Sequence, residues 1–268
     1  MKKNSIYIVM LMAMTVGVLL SCQKSTSYIA AYQTDNGNTS YIKIVHASPY
    51  FRNAYGAADS FNVFVNDKKI NSPFLSYGGT SLFPTSTASF GYVAVPAGLQ
   101  QIRLSVAGVI NPDSIKITNF TTVFQASKYY SVFLTDLGGF LFVDSAFAAI
   151  PGYYNIRFIN AVTTDSAVTS TGTSTYDVFS YARNTTLWSK IPVGGFTIFQ
   201  SLGTNIGVAD TLYLTRTPAS GTPSLAGRVV LAKLAVTPLS RNYTLYFKGD
   251  ATLSTGAKAR SLALYVNQ

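Results

Sequence analysis

Glutamate is missing from this chain altogether, and cysteine, histidine and tryptophan occur once each in its 268 residues. With Cys22 alone, no disulfide can form within the chain, so packing and backbone pairing must hold the fold. With His46 alone, a zinc site lacks the several His or Cys ligands it needs. A serine triad needs an imidazole set between a hydroxyl and a carboxylate, yet Ser48, two residues past His46, shares its side of the strand. No Gly-x-Ser-x-Gly elbow occurs, and neither Gly78-Gly79 nor Gly194-Gly195 leads into the Lys-Ser of a phosphate loop. Asp59, Asn62, Asn66 and Asp67 are the nearest approach to a calcium cluster, and they read better as turn residues. A glycosidase carboxylate pair has no support from ten scattered aspartates. The expectation is a protein without catalytic residues, metal or cofactor.

Glutamate is a good helix former whereas aspartate prefers caps and turns, so the missing glutamate argues against helices. In its place stand 18 Tyr and 17 Phe, with abundant Val, Ile and Thr, residues that suit a pleated, half-buried surface. The reading is all-β. Twenty Lys and Arg against ten Asp give a net charge of +10, but the basic residues are scattered and do not suggest a nucleic-acid partner.

The first 22 residues are organised differently. Lys2-Lys3 precedes a 15-residue apolar run, Ile6 to Leu20, too short to span a bilayer as a helix. This is the pattern of a secretory leader, 1–21. Leu19-Leu20-Ser21-Cys22 resembles the bacterial lipobox, which implies acylation of Cys22 and a membrane partner through that lipid anchor. Without residues 1–21 the net charge falls to +8, because Lys2 and Lys3 go with them. The polar stretch 22–40 then reads as a flexible tether. No acidic residue follows Cys22 until Asp35, and no aspartate stands directly after it; the expected location is the outer membrane, on its periplasmic or its surface face.

The remainder repeats itself. Ile42 to Ala47 aligns with Ile156 to Ala161, Phe61 to Val65 with Tyr176 to Ser180, and Tyr77-Gly78-Gly79 with Val193-Gly194-Gly195. Lys128 to Asp136 aligns with Asn242 to Asp250, and Leu141 to Asp144 with Leu264 to Asn267. Two domains, 41–150 and 151–268, follow, with a very short joint near Pro151 that implies docked or stiffly joined units. In the first, Phe61 to Val65 and Lys68 to Ile70 flank an Asn66-Asp67 hairpin turn. Ile102, Leu104 and Val106 alternate with Arg103, Ser105 and Ala107 as in a half-buried strand. Tyr129 to Thr135 and Phe140 to Val143 form a second hairpin about Leu137-Gly138-Gly139. The expected architecture is two tandem immunoglobulin-like antiparallel β-sandwiches of about seven strands each.

Val45-His46-Ala47-Ser48-Pro49, the Phe61–Asp67 hairpin and Val95-Pro96-Ala97-Gly98 together resemble the domain of unknown function 4397. The resemblance covers 41–143 well and 154–267 more weakly, since Asn160 replaces His46 and the Ser-Pro is lost. It implies an exported bacterial lipoprotein, as in Bacteroidota, and no activity. Tyr50, Tyr55, Tyr77 and Tyr92 lie in or beside long loops and could either form a glycan-binding platform or cap the sandwich ends. The Asp-Ser/Thr-apolar triplets holding Ser114, Ser145, Ser166 and Thr211 resemble Bacteroidota O-glycan acceptors and equally suit plain turns. The expected role is a non-catalytic, lipid-anchored envelope protein acting as a structural or interaction module. The alternative is a glycan-binding accessory lipoprotein, so the partner sought is an envelope protein or a glycan.

Overall fold

The structure, a computed structural model, describes residues 37–47, 49, 60–71, 74–77, 91–106, 116–135, 138–144, 150–162, 175–203, 207–218 and 224–267. It is all-β. The first half comprises β1 (Thr39–His46), β2 (Ser60–Val65), β3 (Lys68–Lys69), β4 (Leu75–Ser76), β5 (Val93–Pro96), β6 (Gly98–Val106), β7 (Lys116–Phe124), β8 (Tyr129–Thr135) and β9 (Gly138–Val143). The second comprises β10 (Tyr153–Asn160), β11 (Thr175–Ser180), β12 (Thr185–Pro192), β13 (Gln200–Gly203), β14 (Asp210–Arg216), β15 (Val230–Val236), β16 (Asn242–Lys248) and β17 (Ser261–Val266).

Each half is a sandwich of two sheets. In the first, β5-β1-β8-β9 faces β3-β2-β6-β7, with β4 added on β2; in the second, β13-β10-β16-β17 faces β12-β11-β14-β15. No described ladder joins a strand of one half to a strand of the other. Ile42, Ile44, Phe61, Val63, Ile102, Leu104, Val132 and Leu134 fill the first core, and Ile156, Phe158, Tyr176, Val178, Leu212, Leu214, Leu245 and Phe247 the second. Tyr130 and Tyr243 each accept a hydrogen bond from a backbone N–H just upstream, that of Gln125 and that of Leu239, both at 2.9 Å. This is the tyrosine corner of immunoglobulin-like sandwiches, made once per half.

The sandwiches are not purely antiparallel. β1 pairs with β8 in parallel, as β10 does with β16, and the other described strand pairings are antiparallel. Parallel neighbours need a long crossover, and the strands between β1 and β8 supply it, all but β5 lying in the opposite sheet. Ala97 is where the chain changes sheet: Pro96 ends β5 against β1, and Gly98, at φ +93°, begins β6 against β2. Asn66 and Asp67 do form the expected turn, at φ 46° and 68°. Gly138 and Gly139 belong to β9 rather than to a turn, pairing with Thr135 and Leu134.

The structure also corrects the alignment of the last long strands. Tyr41 pairs with Tyr129 and Asn155 with Asn242, so the counterpart of Tyr130 is Tyr243, one residue off the sequence match. The shared aspartates at 136 and 250 drew the match out of step, and in a strand such a slip exchanges the faces.

A third apolar cluster lies between the halves. Val45, Ala47, Phe133 and Phe142 meet Ile159, Ala161, Tyr246 and Tyr265, with the Phe133 and Tyr246 rings 5.4 Å apart, edge to face. The two central sheets therefore pack on each other, which buries their inner strands on both faces: β1 and, past Tyr153, β10 expose almost nothing. That is why Ile42 to Val45 and Val132 to Leu134 read as apolar runs rather than alternating patterns. The 102–105 stretch of β6 is enclosed too, with Arg103 and Ser105 buried beside Ile102 and Leu104, against the half-buried alternation expected. Burying Val45, Phe133 and Ile159 contributes roughly 5–9 kcal/mol before entropy is counted. Phe133→Ala is expected to lower stability by about 3–5 kcal/mol in urea unfolding; a loss below about 1 kcal/mol would mean that the central sheets do not pack on each other.

Candidate functional site

Strands β1 and β10 each place one cation in the middle of an apolar run, Ile42-Lys43-Ile44 and Ile156-Arg157-Phe158. Even-numbered neighbours point into the two cores, so Lys43 and Arg157 face each other's half across the central seam. Both are almost completely buried, and a buried charge must be paired or neutralised. Each finds equivalent surroundings on the opposite half. Lys43 Nζ donates to the carbonyl of Val266 at 3.3 Å, and Arg157 Nη1 to the carbonyl of Val143 at 2.9 Å. Lys43 lies over the rings of Tyr265 and Tyr92, at 4.3 and 4.7 Å. Arg157 lies over those of Phe199 and Phe142, at 4.6 and 5.4 Å. Cations held against ring faces in this way gain electrostatically from the π-systems. The pairing registers match Tyr92 with Phe199, Phe142 with Tyr265 and Asp144 with Asn267. The seam is thus built like the isologous interface of a twofold dimer, within one chain.

One position breaks the symmetry. Asp144 follows β9 and Asn267 follows β17, so a single carboxylate serves two cations. Asp144 ion-pairs with Arg157 through Oδ1. Its Oδ2 accepts from Ser131 and, at 2.7 Å, from the Tyr92 hydroxyl. Tyr265 donates to Ser131 Oγ at 2.7 Å, and Arg157 Nε to Thr244 Oγ1 at 3.0 Å. Thr244 in turn donates to Asn267 Oδ1 at 2.7 Å, and Asn267 Nδ2 to the Tyr92 hydroxyl at 3.3 Å. Asp144, Thr244 and Asn267 have no exposed surface. Burial pulls the Lys43 amine down to about 8, with Asp144 partly opposing. Burial, then the charge of Asp144, pushes the Tyr265 phenol up to about 12 and raises Tyr92 as well.

Of the sites expected from sequence, Cys22, Tyr50, Tyr55, Ser114, Ser145 and Ser166 lie outside the described residues. Tyr77 and Tyr92 are described, and both border the seam. Tyr92 is committed to it, with Lys43 on its face, Tyr129 at its edge 5.1 Å away and its hydroxyl bound to Asp144. Tyr77 sits against His46, ring centroids 5.8 Å apart, with Lys248 Nζ 5.4 Å from its centroid. His46 itself is a buried ring wedged against Phe61 and Tyr77. Thr211 is half-buried in β14, where its carbonyl accepts from Tyr181 N–H at 3.0 Å. Sequence reasoning missed Lys43, Arg157 and Asp144. The signal was there: a cation at the same place in both repeats, inside an apolar run.

A second buried ion pair lies on the outer sheet of the second half. Asp177 and Arg228 meet at 2.8 Å, and Asp177 also accepts from Thr217 and from Lys190 N–H. No group of three or more His, Cys, Asp or Glu converges among the described residues, and among them no helix is long and apolar enough to cross a membrane.

No family model and no curated protein sequence matches the chain, so the resemblance to the domain of unknown function 4397 stands on its motifs alone. Similar solved structures include the Bacillus anthracis TIE protein, at 9% identity and TM-score 0.21, covering 79% of this chain and 34% of that one. A candidate cell adhesion protein from Bacteroides eggerthii matches at 9% identity and TM-score 0.24, covering 86% and 95%. Candidate polysaccharide-binding proteins from Bacteroides thetaiotaomicron match at 10% identity and TM-score 0.20, covering 85% and 96%. The chain spans about a third of the first protein and nearly all of the other two.

Two consequences can be measured. Asp144→Asn leaves Arg157 buried without its counter-charge and is expected to cost about 3–5 kcal/mol in denaturant unfolding; an unchanged midpoint would show that the pair does not hold the seam. The second concerns pH. While the Lys43 amine is free, between about pH 8 and 10 the unfolded chain keeps a proton on it that the folded chain has released, so stability rises with pH there. Above about pH 10 the unfolded tyrosines ionise before Tyr265 does, and stability falls again. Lys43→Met is expected to remove the rise and keep the fall, read from unfolding midpoints across that range.

Proposed function

We propose that this protein is a non-catalytic, lipid-anchored component of a bacterial cell envelope, held at the outer membrane through Cys22 and acting as a structural or interaction module. The observation that carries this reading is the closure of the ionisable cluster at the seam. Lys43, Asp144 and Arg157 are engaged with each other and with ring faces, and are shut off from water. Groups arranged in this way fix the angle between two sandwiches; they do not meet a substrate. The lipobox-like Leu19 to Cys22 and the resemblance to the domain of unknown function 4397 support export and anchoring. With the central sheets facing each other, the outer sheets, strand edges and loops are left to meet a partner.

Glycan binding is the second reading. Among the described aromatics it rests on Tyr181, 63% exposed, with the half-buried Tyr213 ring 6.1 Å away, rather than on Tyr92. The Asp-Ser/Thr triplets remain candidate O-glycan acceptors under the same envelope reading.

In cells fed labelled palmitate, the wild-type chain is expected to carry label and sediment with outer membranes. Cys22→Ser is expected to lose the label and move almost wholly to the soluble fraction; label or sedimentation that persists in this variant would contradict the anchor. A pull-down with the chain lacking its leader separates the partners. A specific envelope protein supports the first reading, and retention on polysaccharide supports the second.

A further inference from the structure

The missing carboxylate opposite Lys43 has a chemical consequence. Arg157 reaches the Val143 carbonyl with Nη1 and Asp144 Oδ1 with Nη2. Lys43 reaches the equivalent carbonyl, that of Val266, and the residue after it is Asn267. Asp144 turns Oδ2 towards Ser131 and Oδ1 towards the cation, whereas Asn267 turns Oδ1 towards Thr244. That equivalence puts the Asn267 amide on the Lys43 side of the seam, one residue past the carbonyl to which Lys43 donates. Asn267 Nδ2 donates to the hydroxyl of Tyr92, whose ring Lys43 covers. The amine and the amide NH2 thus meet the same buried tyrosine, Lys43 at the ring face of Tyr92 and Asn267 at its hydroxyl.

We propose that Lys43 and Asn267 are the two ends of an internal isopeptide bond that ties the first strand of one half to the end of the last strand of the other. The Nζ lone pair attacks Cγ of Asn267, and the carbonyl π pair moves onto Oδ1, where the Thr244 hydroxyl donates to it. When the carbonyl re-forms, the Cγ–Nδ2 bond breaks. One proton leaves Nζ and reaches Nδ2, which departs as ammonia. The Tyr92 hydroxyl accepts from Nδ2 and donates to Asp144 Oδ2, so it connects the leaving nitrogen to a carboxylate that can hold the proton in transit. One C–N bond forms and one breaks, with no oxidant, water or metal consumed. A desolvated lysine is the form of this side chain that acts as a nucleophile, and the lowered Lys43 pKa agrees with that role. Holding both groups in one buried site replaces a bimolecular encounter with an intramolecular one. The link would give a chain with one cysteine the covalent closure that a disulfide cannot.

Mass spectrometry of the folded full-length protein, kept at pH 8 to 9 for several days, tests this. The wild-type chain is expected to be lighter by one ammonia, trypsin is expected not to cut after Lys43, and fragmentation is expected to give a branched peptide joining β1 to the Asn267 segment. Lys43→Met and Asn267→Ala are each expected to restore the full mass, and Tyr92→Phe to slow the loss. Full mass in the wild-type chain would overturn the proposal, as would loss of ammonia with a linear peptide, which is the signature of a succinimide at Asn267. Because the deciding measurement is made on the wild-type chain, it stands even if a variant fails to fold.

Discussion

The docking of two sheets around one carboxylate governs this molecule. Asp144 holds Arg157 from the other half, and the two share a buried seam with Lys43. Removing charges from water is costly, and such a cluster forms only where geometry satisfies nearly every donor and acceptor. Here Ser131, Tyr92, Tyr265, Thr244 and Asn267 complete the network, drawn about equally from both halves. The apolar contacts of Phe133, Tyr246, Val45 and Ile159 supply the bulk attraction, since burying hydrocarbon is non-directional. The polar network supplies register, because sliding either sheet by one residue would strand a buried charge.

The equivalence of the two halves explains why the seam exists. A surface that meets its own copy across a twofold axis needs each contact to occur twice, and these contacts do. Lys43 and Arg157 each rest between two rings and each donate to one carbonyl. The replacement of one carboxylate by an amide, Asp144 against Asn267, makes the two sides chemically distinct. One side is an ion pair; on the other the cation has a carbonyl and two ring faces, with an amide at the position of the carboxylate.

Much of the fold could be read from the residues. Asn66-Asp67 declared its hairpin, the repeat declared two sandwiches, and the β-branched and aromatic content with no glutamate declared the class. The parallel pairing of β1 with β8 was hidden, because sequence periodicity reports faces and not neighbours. The one-residue error in matching β8 to β16 shows the same limit, as loop aspartates outweighed the core tyrosines 130 and 243. The seam was half legible. Lys43 and Arg157 break apolar runs at matching positions, but a charge in a run is equally the mark of a solvated face until a second sheet is known to cover it. Tyr92 reads as a loop aromatic and proves to be a wall of the seam, since its Asp144 partner is 52 residues away in the chain.

The central claim is that both sandwiches form one cooperative body through their inner sheets. Native-state amide exchange at rising denaturant tests it most directly. The account predicts that the slowest amides of β1, β8, β10 and β16 converge on one opening free energy. Two separate plateaus, with β1 and β8 opening while β10 and β16 stay closed, would contradict it.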